Sequence, residues 1–294
     1  MLLRRALPLL LLTACSSPPP ANSPEPTPPR ADVAPVIVEP PTSAMAEKPE
    51  PAPKPKPPEP IPVPEAIAAL MRAPDRSEAD RALDAGRKED QLLAFIELQS
   101  GAKVAELGAG SGYTTEILAR AVGPKGKVYA QNNKFILERF AEKPLTERMK
   151  KPVMKNVTRL DREFDDPFPK DVKDLDAVVN VLFYHDTFWM KVDRDKMNKA
   201  VFKALRPRGL YVIVDHSAQK GHGAEDVKTL HRVEKSVVQQ EIERAGFHLA
   251  KEGHFLENPE DSRDWSASPG AAGDKRGSSD RFVLVFEKPD PKSM

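Results

Sequence analysis

The sequence predicts a doubly wound α/β domain with a mostly parallel seven-stranded sheet that ends in an antiparallel hairpin. Over residues 65–288, short apolar runs alternate with helical stripes, which is typical of a parallel sheet covered by helices on both faces. A glycine-rich turn follows the first apolar run, as in the strand–turn–helix units of such sheets. Because no helix is predicted between the last two strands, we expect those two strands to pair antiparallel.

The individual elements follow from hydrophobic spacing and from turn residues. Apolar runs predict strands at 103–107, 126–130, 156–160, 175–182, 210–214, 247–255 and 281–286. Apolar residues at helical spacing predict helices over 67–71, 92–96, 113–122 and 197–205. One long amphipathic helix, stopped by Gly246, is predicted from the stripe Val227, Leu230, Val237, Ile242 and Ala245.

The first 14 residues have the features of a bacterial lipoprotein signal peptide. Two arginines precede a short apolar segment (6–12), which is far shorter than the roughly 20 residues of a membrane span. The segment is followed by Leu-Thr-Ala-Cys15, which ends the signal region and resembles the lipobox, where the cysteine sulfur receives a lipid. We therefore expect Cys15, the sole cysteine, to be lipidated. The protein would then be a membrane-anchored lipoprotein of the bacterial cell envelope, with its domain on the exported side.

Residues 15–64 are predicted to form a disordered tether. Nineteen of the 31 prolines lie in it, together with few side chains that could form a core. A spacer between lipid and domain is the preferred interpretation, and a cell-wall-crossing or partner-binding role is the alternative. Residues 289–294 form a short tail. The net charge of +1 argues against a polyanion-binding surface, so we expect no nucleic-acid partner.

The sharpest motif is Glu106-Leu-Gly-Ala-Gly-Ser-Gly112-Tyr113, between the first strand and its helix. Glycines at this junction let the backbone turn tightly and approach a ligand at the carboxyl ends of the strands. Nicotinamide proteins use the related G-x-G-x-x-G pattern, but with an acid at the end of the second strand for the ribose hydroxyls. Here that strand ends in Gln131-Asn132, which disfavours a nicotinamide oxidoreductase. Glu106, two residues before the first glycine, instead suits a cationic amine, either directly or through the amides of the turn.

Residues 104–113 resemble motif I of class I, S-adenosylmethionine-dependent methyltransferases. The turn 205–210 looks like their L-x-P-G-G-x turn, with Arg208 in place of a glycine, and 244–247 is similar to their A-G-F segment. Further matches point to a bacterial group of predicted methyltransferases: Asp75-Arg76, Asp80, Asp84 to Arg87, Tyr184 to Thr187, Asp215-His216, His231-Arg232 and Gly277 to Phe282. The resemblance implies a Rossmann-like fold and S-adenosyl-L-methionine as the cofactor.

The resemblance also implies roles for individual residues. The cofactor-binding residues would be Glu106, Gly108, Gly110, Gly112, Tyr113, Asn132 and Glu163. The glycines would line the methionine and ribose part of the cofactor, and Glu106 would hold its amino end. The usual ribose carboxylate is missing, so Asn132 or Gln131 would take that contact more weakly. Glu163 falls on the position of the acid that contacts adenine, with Asp161 as the alternative.

The candidate catalytic residues follow the fourth and fifth strands: Tyr184, His185, Asp186 and His216. Because the methyl donor is already activated, the protein would supply positioning and, for an oxygen acceptor, a base. His185 would be that base, since its ordinary pKa lies near neutral pH, and Asp186 would orient it. For each histidine, a structural role is the competing interpretation. A metal site from Asp186, Asp215 and His216 is not expected, because adjacent strand residues point to opposite faces.

Two further segments have two interpretations each. The residues Arg76, Asp80, Asp84 and Arg87 recur at helical spacing. They form either an exposed, salt-bridged helix face or a lid whose Arg87 meets an anionic ligand. Residues 257–280, rich in glycine, serine, aspartate and proline, form either a mobile loop or a second lid.

Together these features predict an S-adenosylmethionine-dependent methyltransferase with a small-molecule methyl acceptor, held at a membrane by its lipid. The rival hypothesis is a non-catalytic ligand-binding or scaffolding module on the same fold, because exported compartments are not known to be rich in the cofactor. The intact glycine turn favours the enzyme, whereas Gln131-Asn132 favours the rival.

Overall fold

The computed structural model describes residue 56 and residues 58–292. The predicted signal peptide, the lipidated Cys15 and most of the tether lie outside the described residues, so they stay predictions. Within the described part of the chain, no helix is both long enough and apolar enough to cross a membrane.

Three helices precede the sheet: α1 (Glu65–Met71), α2 (Glu78–Arg87) and α3 (Glu89–Ile96). The hydroxyl of Ser77 accepts a hydrogen bond from the Asp80 amide and so caps the start of α2. Lys88 has a left-handed backbone conformation, with φ at 50°, and separates α2 from α3. After this break, α3 buries its apolar residues in the core.

Seven strands form one sheet in the order β3-β2-β1-β4-β5-β7-β6. Their bounds are β1 (Lys103–Leu107), β2 (Lys127–Asn132), β3 (Val157–Asp161), β4 (Leu175–Val181), β5 (Leu205–His216), β6 (His248–Gly253) and β7 (Arg281–Glu287). β1 to β5 pair in parallel, and β7 lies antiparallel between β5 and β6. The predicted fold class is confirmed, including the antiparallel pair at the end of the domain.

The connections between strands carry the remaining helices. These are α4 (Tyr113–Val122), α5 (Lys134–Ile136), α6 (Glu142–Met149), α7 (Asp186–Trp189), α8 (Arg194–Ala204) and α9 (Lys235–Arg244). A π-helical turn (Leu137–Ala141) joins α5 to α6, and two 3₁₀ turns occur at Pro152–Asn156 and Gly273–Lys275.

The strands bury side chains on both faces of the sheet. Along β5, Tyr211 and Ile213 belong to one buried cluster, and Val212 and Val214 belong to the other. This alternation is what a strand covered on both faces requires. The first cluster includes residues of α8 and α9, and the second includes residues of α3 and α4.

Two predicted boundaries are wrong. β5 begins five residues earlier than predicted, because Leu205 already pairs with Leu175 before a shift in register. The predicted long helix begins only at Lys235, because the residues before it form turns that bury Val227 and Val233. Apolar spacing marked Val227 correctly as buried, but it does not distinguish a helix from packed turns.

Candidate active site

A crevice is expected between β1 and β4, where the strand order reverses at the centre of the sheet. Leu107 at the end of β1 lies opposite Asn180 near the end of β4. In sheets of this kind, ligands bind at such a point, outside the carboxyl ends of the strands. The turn after β1 and the residues after β4 and β5 therefore border one crevice.

The three glycines of the turn after β1 have positive φ angles, 69° for Gly108, 55° for Gly110 and 85° for Gly112. A side chain at Gly108 would overlap the ring of Phe183, at 2.4 Å, and one at Gly112 would press on Leu145, at 3.0 Å. A side chain at Gly110 would meet only the Gly108 carbonyl oxygen, at 4.0 Å. Packing within the protein therefore requires Gly108 and Gly112. Gly110 has open space beside it, where a ligand can approach the backbone.

Two side-chain amides tie the end of β2 to this turn. Asn132 accepts a hydrogen bond from the Gly110 amide, at 2.8 Å, and donates one to the Gly110 carbonyl oxygen, at 3.1 Å. Gln131 accepts a hydrogen bond from the Gly108 amide, at 3.3 Å. Both side chains are fully buried. The two residues predicted to contact a ribose thus support the turn, and a ligand reaches Asn132 only in exchange for these bonds.

Glu106 points into the packing between β1 and α4 and not into the crevice. Its buried carboxylate accepts a hydrogen bond from the Thr115 hydroxyl, in the first turn of α4. Burial raises the pKa of Glu106 to about 8, although the Thr115 hydrogen bond opposes the shift, and the nearby Glu89 carboxylate adds to it. These contacts favour the route through the amides of the turn over a direct contact with a cationic amine, and both routes stay predictions.

Two of the four charged residues that recur at helical spacing here are buried, Arg76 just before α2 and Asp80 within it. Arg76 and Asp80 are each 5% exposed. Arg76 binds Asp84 through two nitrogens, each at 2.6 Å, and the Tyr113 hydroxyl donates to the same carboxylate at 2.7 Å. Arg87 lies with its guanidinium 5.5 Å from the centre of the Tyr113 ring. The interpretation of an exposed face is therefore wrong. The ring and hydroxyl of Tyr113 contact the protein itself, and its predicted cofactor contact stays a prediction.

A second bidentate pair connects α2 to the glycine turn. Arg148 of α6 binds Asp80 through two nitrogens at 2.8 Å and donates from Nε to the Ser111 carbonyl oxygen, also at 2.8 Å. Arg148 also donates to Glu116, at 2.6 Å. Burial alone would raise the pKa values of Asp80 and Glu116, but hydrogen bonds from these and neighbouring cations hold them below their ordinary values. We call the following residues the α2 network: Arg76, Asp80, Asp84, Tyr113, Glu116 and Arg148.

Two residues near the crevice bear on cofactor binding. Glu163, after β3, accepts a hydrogen bond from the Asn133 side chain at 3.1 Å, and its predicted contact with adenine stays a prediction. Asn180 is fully buried on β4, and neither polar atom of its side chain has a hydrogen-bond partner among the described residues. A buried amide without partners is uncommon, so a bound ligand is one way to satisfy it. Sequence reasoning missed Asn180, whose signal was a polar residue inside the apolar run 175–182.

Three polar side chains converge where β4 leads into α7. Nε2 of His185, Oδ1 of Asp186 and Nδ1 of His231 are each 3.2 Å from the other two atoms. On the other side of the ring, Nδ1 of His185 lies 2.7 Å from Oδ1 of Asp215. We call these residues the histidine cluster: His185, Asp186, Asp215 and His231.

The charges around His185 contradict the role of a neutral base. Burial by itself would lower the pKa of His185, but the carboxylates of Asp215 and Asp186 outweigh burial and raise the pKa to about 10. A base that works at neutral pH needs a pKa near that pH, so His185 with these partners is a charged hydrogen-bond donor. Asp215 is the main orienting group, because its carboxylate also accepts a bond from the His185 backbone amide, at 2.7 Å.

Two other predicted catalytic residues have different hydrogen-bond partners, although the ring of His216 lies beside that of His185, with 5.7 Å between the ring centres. The Tyr184 hydroxyl is fully buried, donates to Glu241 at 2.9 Å and accepts from Asn198 at 2.8 Å, so it connects β4 to α8 and α9. His216 contacts the Ser279 hydroxyl through Nδ1 at 2.7 Å. Burial, together with neighbouring cations, holds the pKa of His216 well below its ordinary value, so its ring stays neutral. These bonds favour a structural role for Tyr184, and the predicted catalytic roles of Tyr184 and His216 stay predictions.

The histidine cluster contains two members to which sequence reasoning gave no catalytic role. Asp215 was considered only as a metal ligand together with His216, and His231 was noted only for its position. Both belong to segments that carry the methyltransferase resemblance, which was the available signal. They lie 30 and 46 positions after His185 in the chain, so only folding brings them to it.

Comparisons with known proteins concern the first half of the domain and the fold. The family described as Protein-L-isoaspartate(D-aspartate) O-methyltransferase (PCMT) matches residues 66–159. A protein-L-isoaspartate O-methyltransferase from Methanosarcina mazei is 33% identical over 96 residues, which are 33% of this chain and 38% of that protein. The match thus spans little more than a third of the curated relative. The family match over residues 66–159 contains the glycine turn and ends within β3, before any residue of the histidine cluster.

Solved structures resemble a larger part of the chain. A SAM-dependent methyltransferase from Aquifex aeolicus is 18% identical, with a TM-score of 0.50, and the likeness covers 75% of this chain and 97% of that chain. A chain from the complex between the Haloferax volcanii Trm112 methyltransferase activator and a methyltransferase is 16% identical, with a TM-score of 0.50, over 76% and 98%. At these identities the likeness concerns the fold alone. The protein has the class I methyltransferase fold, with a glycine turn at the switch point of its sheet.

Proposed function

We propose that the chain is an S-adenosyl-L-methionine-dependent methyltransferase. The observation that carries the proposal is the glycine turn at the switch point of the sheet, with open space at Gly110. The names of the Methanosarcina mazei and Aquifex aeolicus proteins agree with it. The chain also has a buried amide, that of Asn180, without a hydrogen-bond partner among the described residues, as a site that accommodates a polar ligand would.

In this proposal, the glycine turn and the residues after β2 and β3 bind the cofactor, and the histidine cluster binds the acceptor. S-adenosyl-L-methionine supplies an activated methyl group when bound. The turn at Gly110 would hold its methionine and ribose part, with Asn132 exchanging bonds to Gly110 for bonds to the ligand. Glu163 would face the adenine. The histidine cluster would bind and orient the acceptor, so that the acceptor and the donor meet in the crevice.

For the acceptor we propose a small molecule. His185 is 3% exposed and Asp215 is fully buried, whereas the side chains of His231 and Asp186 are 27% and 18% exposed, so the cluster is open to solvent on one side only. A small molecule reaches such groups more easily than a side chain of a folded protein does. A protein L-isoaspartyl residue is the second candidate, favoured by the family match over 66–159. That match stops before β4 and β5, whose carboxyl ends would contact the acceptor.

Calorimetric titration of the purified full-length protein with S-adenosyl-L-methionine, S-adenosylhomocysteine and NAD tests the cofactor. Gly110→Val should abolish binding of the first two, because a branched side chain fills the open space. Gly273→Val is the matched control: Gly273 has a φ of 52° and nothing within 4 Å, so the variant has similar backbone strain outside the turn. Unchanged affinity in Gly110→Val, or binding of NAD alone, would contradict the proposal.

Transfer of a labelled methyl group tests the acceptor. One reaction contains an isoaspartyl peptide, and the other contains the small-molecule fraction of a bacterial extract. Label in the small-molecule fraction alone supports our preferred acceptor, and label in the peptide favours the second candidate. Cofactor binding without transfer to either favours the non-catalytic binding module.

Attachment to a membrane is the remaining part of the proposal. We propose that lipidated Cys15 holds the domain at a membrane of the bacterial cell envelope, on the exported side. The Leu-Thr-Ala-Cys15 sequence supports this, and the apolar segment before it is too short to span a bilayer. Cys15→Ala should move the protein from the membrane fraction to the soluble fraction. A variant that stays with the membranes would contradict lipid attachment.

A further inference from the structure

Three potential metal-ligand atoms of the histidine cluster form an equilateral triangle. Nε2 of His185, Nδ1 of His231 and Oδ1 of Asp186 are mutually 3.2 Å apart. Around a tetrahedral ion with bonds of about 2.0–2.1 Å, ligand atoms lie about 3.3–3.4 Å from one another. One ion above the plane of the triangle can therefore contact all three atoms after very small movements.

The three groups also have suitable chemistry. Imidazole nitrogen suits zinc, iron, copper and nickel ions, and two histidines with one carboxylate form a recurrent set of ligands for Zn²⁺ and Fe²⁺. Three protein ligands leave at least one coordination position for water or for an oxygen of the acceptor. This number of ligands is typical of catalytic sites, whereas structural zinc sites use four protein ligands.

Two groups outside the triangle fix the direction of its ligand atoms. Asp215 binds Nδ1 of His185, at 2.7 Å, which leaves Nε2 directed into the triangle. An ion at Nε2 displaces the proton that this nitrogen carries without a metal, because a histidine binds a metal through the lone pair of its neutral ring. Histidines that bind metals commonly have such a carboxylate partner on the other ring nitrogen. Nε1 of Trp189 donates to Oδ1 of Asp186, at 2.7 Å, and so holds this carboxylate in place. The cluster therefore has converging ligands and the partners that orient them.

The backbone at His231 is strained in a way that brings its ring to the triangle. Its φ is 52°, which is uncommon for a residue other than glycine and persists only where the surroundings enforce it. On one side, the Leu230 carbonyl oxygen accepts a bond from the Ala267 amide, at 2.9 Å. On the other side, Arg232 is fully buried and binds Asp261 at 2.8 Å. The chain is thus held firmly on both sides of His231.

An ion can reach the triangle from solvent, because the side chains of His231 and Asp186 are 27% and 18% exposed. We propose that His185, Asp186 and His231 bind one divalent transition-metal ion of the zinc class at the acceptor end of the crevice. This inference goes beyond the proposed function, because it depends on ligand geometry and not on the cofactor.

Titration with Co²⁺ tests the site directly. The full-length protein is treated with a chelator, and binding is followed by visible absorption at one fixed pH above neutrality. One ion per chain should bind, with the absorption of four- or five-coordinate Co²⁺. His231→Asn should lower the affinity about 100-fold or more, and Trp189→Phe should lower it about 10-fold. Asparagine tolerates the left-handed backbone at this position, and thermal melting checks that the variant folds.

His254→Asn is the matched control. His254 lies with Glu252 and Glu257 in the second group of potential metal ligands in the described part of the chain, and that group is largely exposed. Its loss should leave Co²⁺ binding unchanged. Binding that survives in His231→Asn but is lost in His254→Asn overturns the proposal. A wild-type protein that binds no Co²⁺ also overturns it, because the cluster is then a hydrogen-bond network only.

Titration of the same proteins with S-adenosyl-L-methionine separates the ion site from the methyltransferase proposal. The His231→Asn protein should bind the cofactor as the wild type does, because the glycine turn is intact. If the wild type binds Co²⁺ but no cofactor, the methyltransferase proposal fails and the ion site stands. If it binds the cofactor but no Co²⁺, the ion site fails and the methyltransferase proposal stands.

Discussion

The α2 network and the histidine cluster are both largely buried groups of polar side chains, but their charges are paired differently. In the α2 network, two arginines each bind a carboxylate through two nitrogens, Arg76 with Asp84 and Arg148 with Asp80. In the histidine cluster, two imidazole nitrogens and one carboxylate oxygen converge at mutual distances of 3.2 Å.

Because of this difference, the α2 network can only stabilise the structure, whereas the histidine cluster can bind or react with a ligand. An arginine has no acceptor and does not lose its proton in proteins, so a bidentate arginine–carboxylate pair offers nothing to a reacting group. The α2 network can therefore hold the glycine turn but cannot act on a ligand. Carboxylate oxygens have lone pairs that can bind an ion, and so do imidazole nitrogens once an ion has displaced their proton. Near a crevice, charge alone does not indicate a reactive site, whereas converging lone pairs do.

Substitution of His185 should have the largest effect on methyl transfer, since it removes a central member of the histidine cluster. We expect His185→Asn to lower methyl transfer by about 10²- to 10⁴-fold with little change in cofactor affinity, because the ring joins Asp215 to the other members of the cluster. Turnover and calorimetric binding measure the two effects separately. His216→Asn is the control, since His216 contacts Ser279 outside the cluster. If turnover fell strongly in His216→Asn and only slightly in His185→Asn, the catalytic residue would be His216 at the end of β5.

Substitution of Arg148 should destabilise the protein through the α2 network. Asp80 and Arg148 are 8% and 13% exposed, so Arg148→Met leaves a buried carboxylate without its bidentate partner. We expect the free energy of unfolding, measured by urea denaturation, to fall by about 3 kcal/mol. The exposed pair of Arg72 with Glu65 is the control, because Arg72→Ala should change stability by less than about 0.5 kcal/mol. Equal losses in the two variants would mean that burial of the α2 network has no energetic consequence.

The pH dependence of stability compares Glu106 with Glu116 of the α2 network. Glu106 is buried and has no salt bridge in the described structure. Its pKa is raised from 4.5 to about 8, so the folded protein binds this proton more tightly than the unfolded chain does. The stability that Glu106 contributes is complete below pH 4.5 and is lost as the pH rises through about 8. Glu106→Gln cannot ionise and should therefore be more stable than the wild type at alkaline pH, by about 1–3 kcal/mol.

Glu116→Gln is the control for this pH dependence and should have the opposite sign. Neighbouring cations lower the pKa of Glu116, so its charged form stabilises the fold above its ordinary pKa, and that stability is lost in acid. Thermal melting from acidic to alkaline pH measures both variants. A Glu106→Gln protein whose stability follows the wild type at every pH would show that the carboxyl has no raised pKa.

Tyr184→Phe should have the smallest effect. The variant loses the hydroxyl that connects Glu241 with Asn198, so we expect a stability loss of about 1 kcal/mol. Turnover should stay within about 3-fold of the wild type, since the hydroxyl is directed away from the histidine cluster. A large loss of turnover at unchanged stability would restore the catalytic role that the sequence suggested for Tyr184.

The sequence alone determined the class of fold and the glycine turn. Local hydrophobic patterns predict the alternating strands and helices, and they predict no helix between the last two strands. The structure reproduces both features. The turn from Glu106 to Tyr113 is one uninterrupted segment, and its glycines are required by backbone angles that neighbouring residues already dictate. Such features are local in the chain, and a single sequence therefore contains them.

Only the tertiary structure decided which polar side chains meet. Asp80 and Arg148 are 68 positions apart, and His185 and His231 are 46 apart, so no local pattern pairs them. The side chains of Asp215 and His216 alternate along β5, and Asp215 contacts His185 whereas His216 contacts Ser279. The sequence does not show which side chains these two residues will meet. Burial then sets the charges: the same fold that raises the pKa of His185 to about 10 holds that of His216 well below its ordinary value. Residue type limits what a side chain can do, and the neighbours that packing supplies determine what it does.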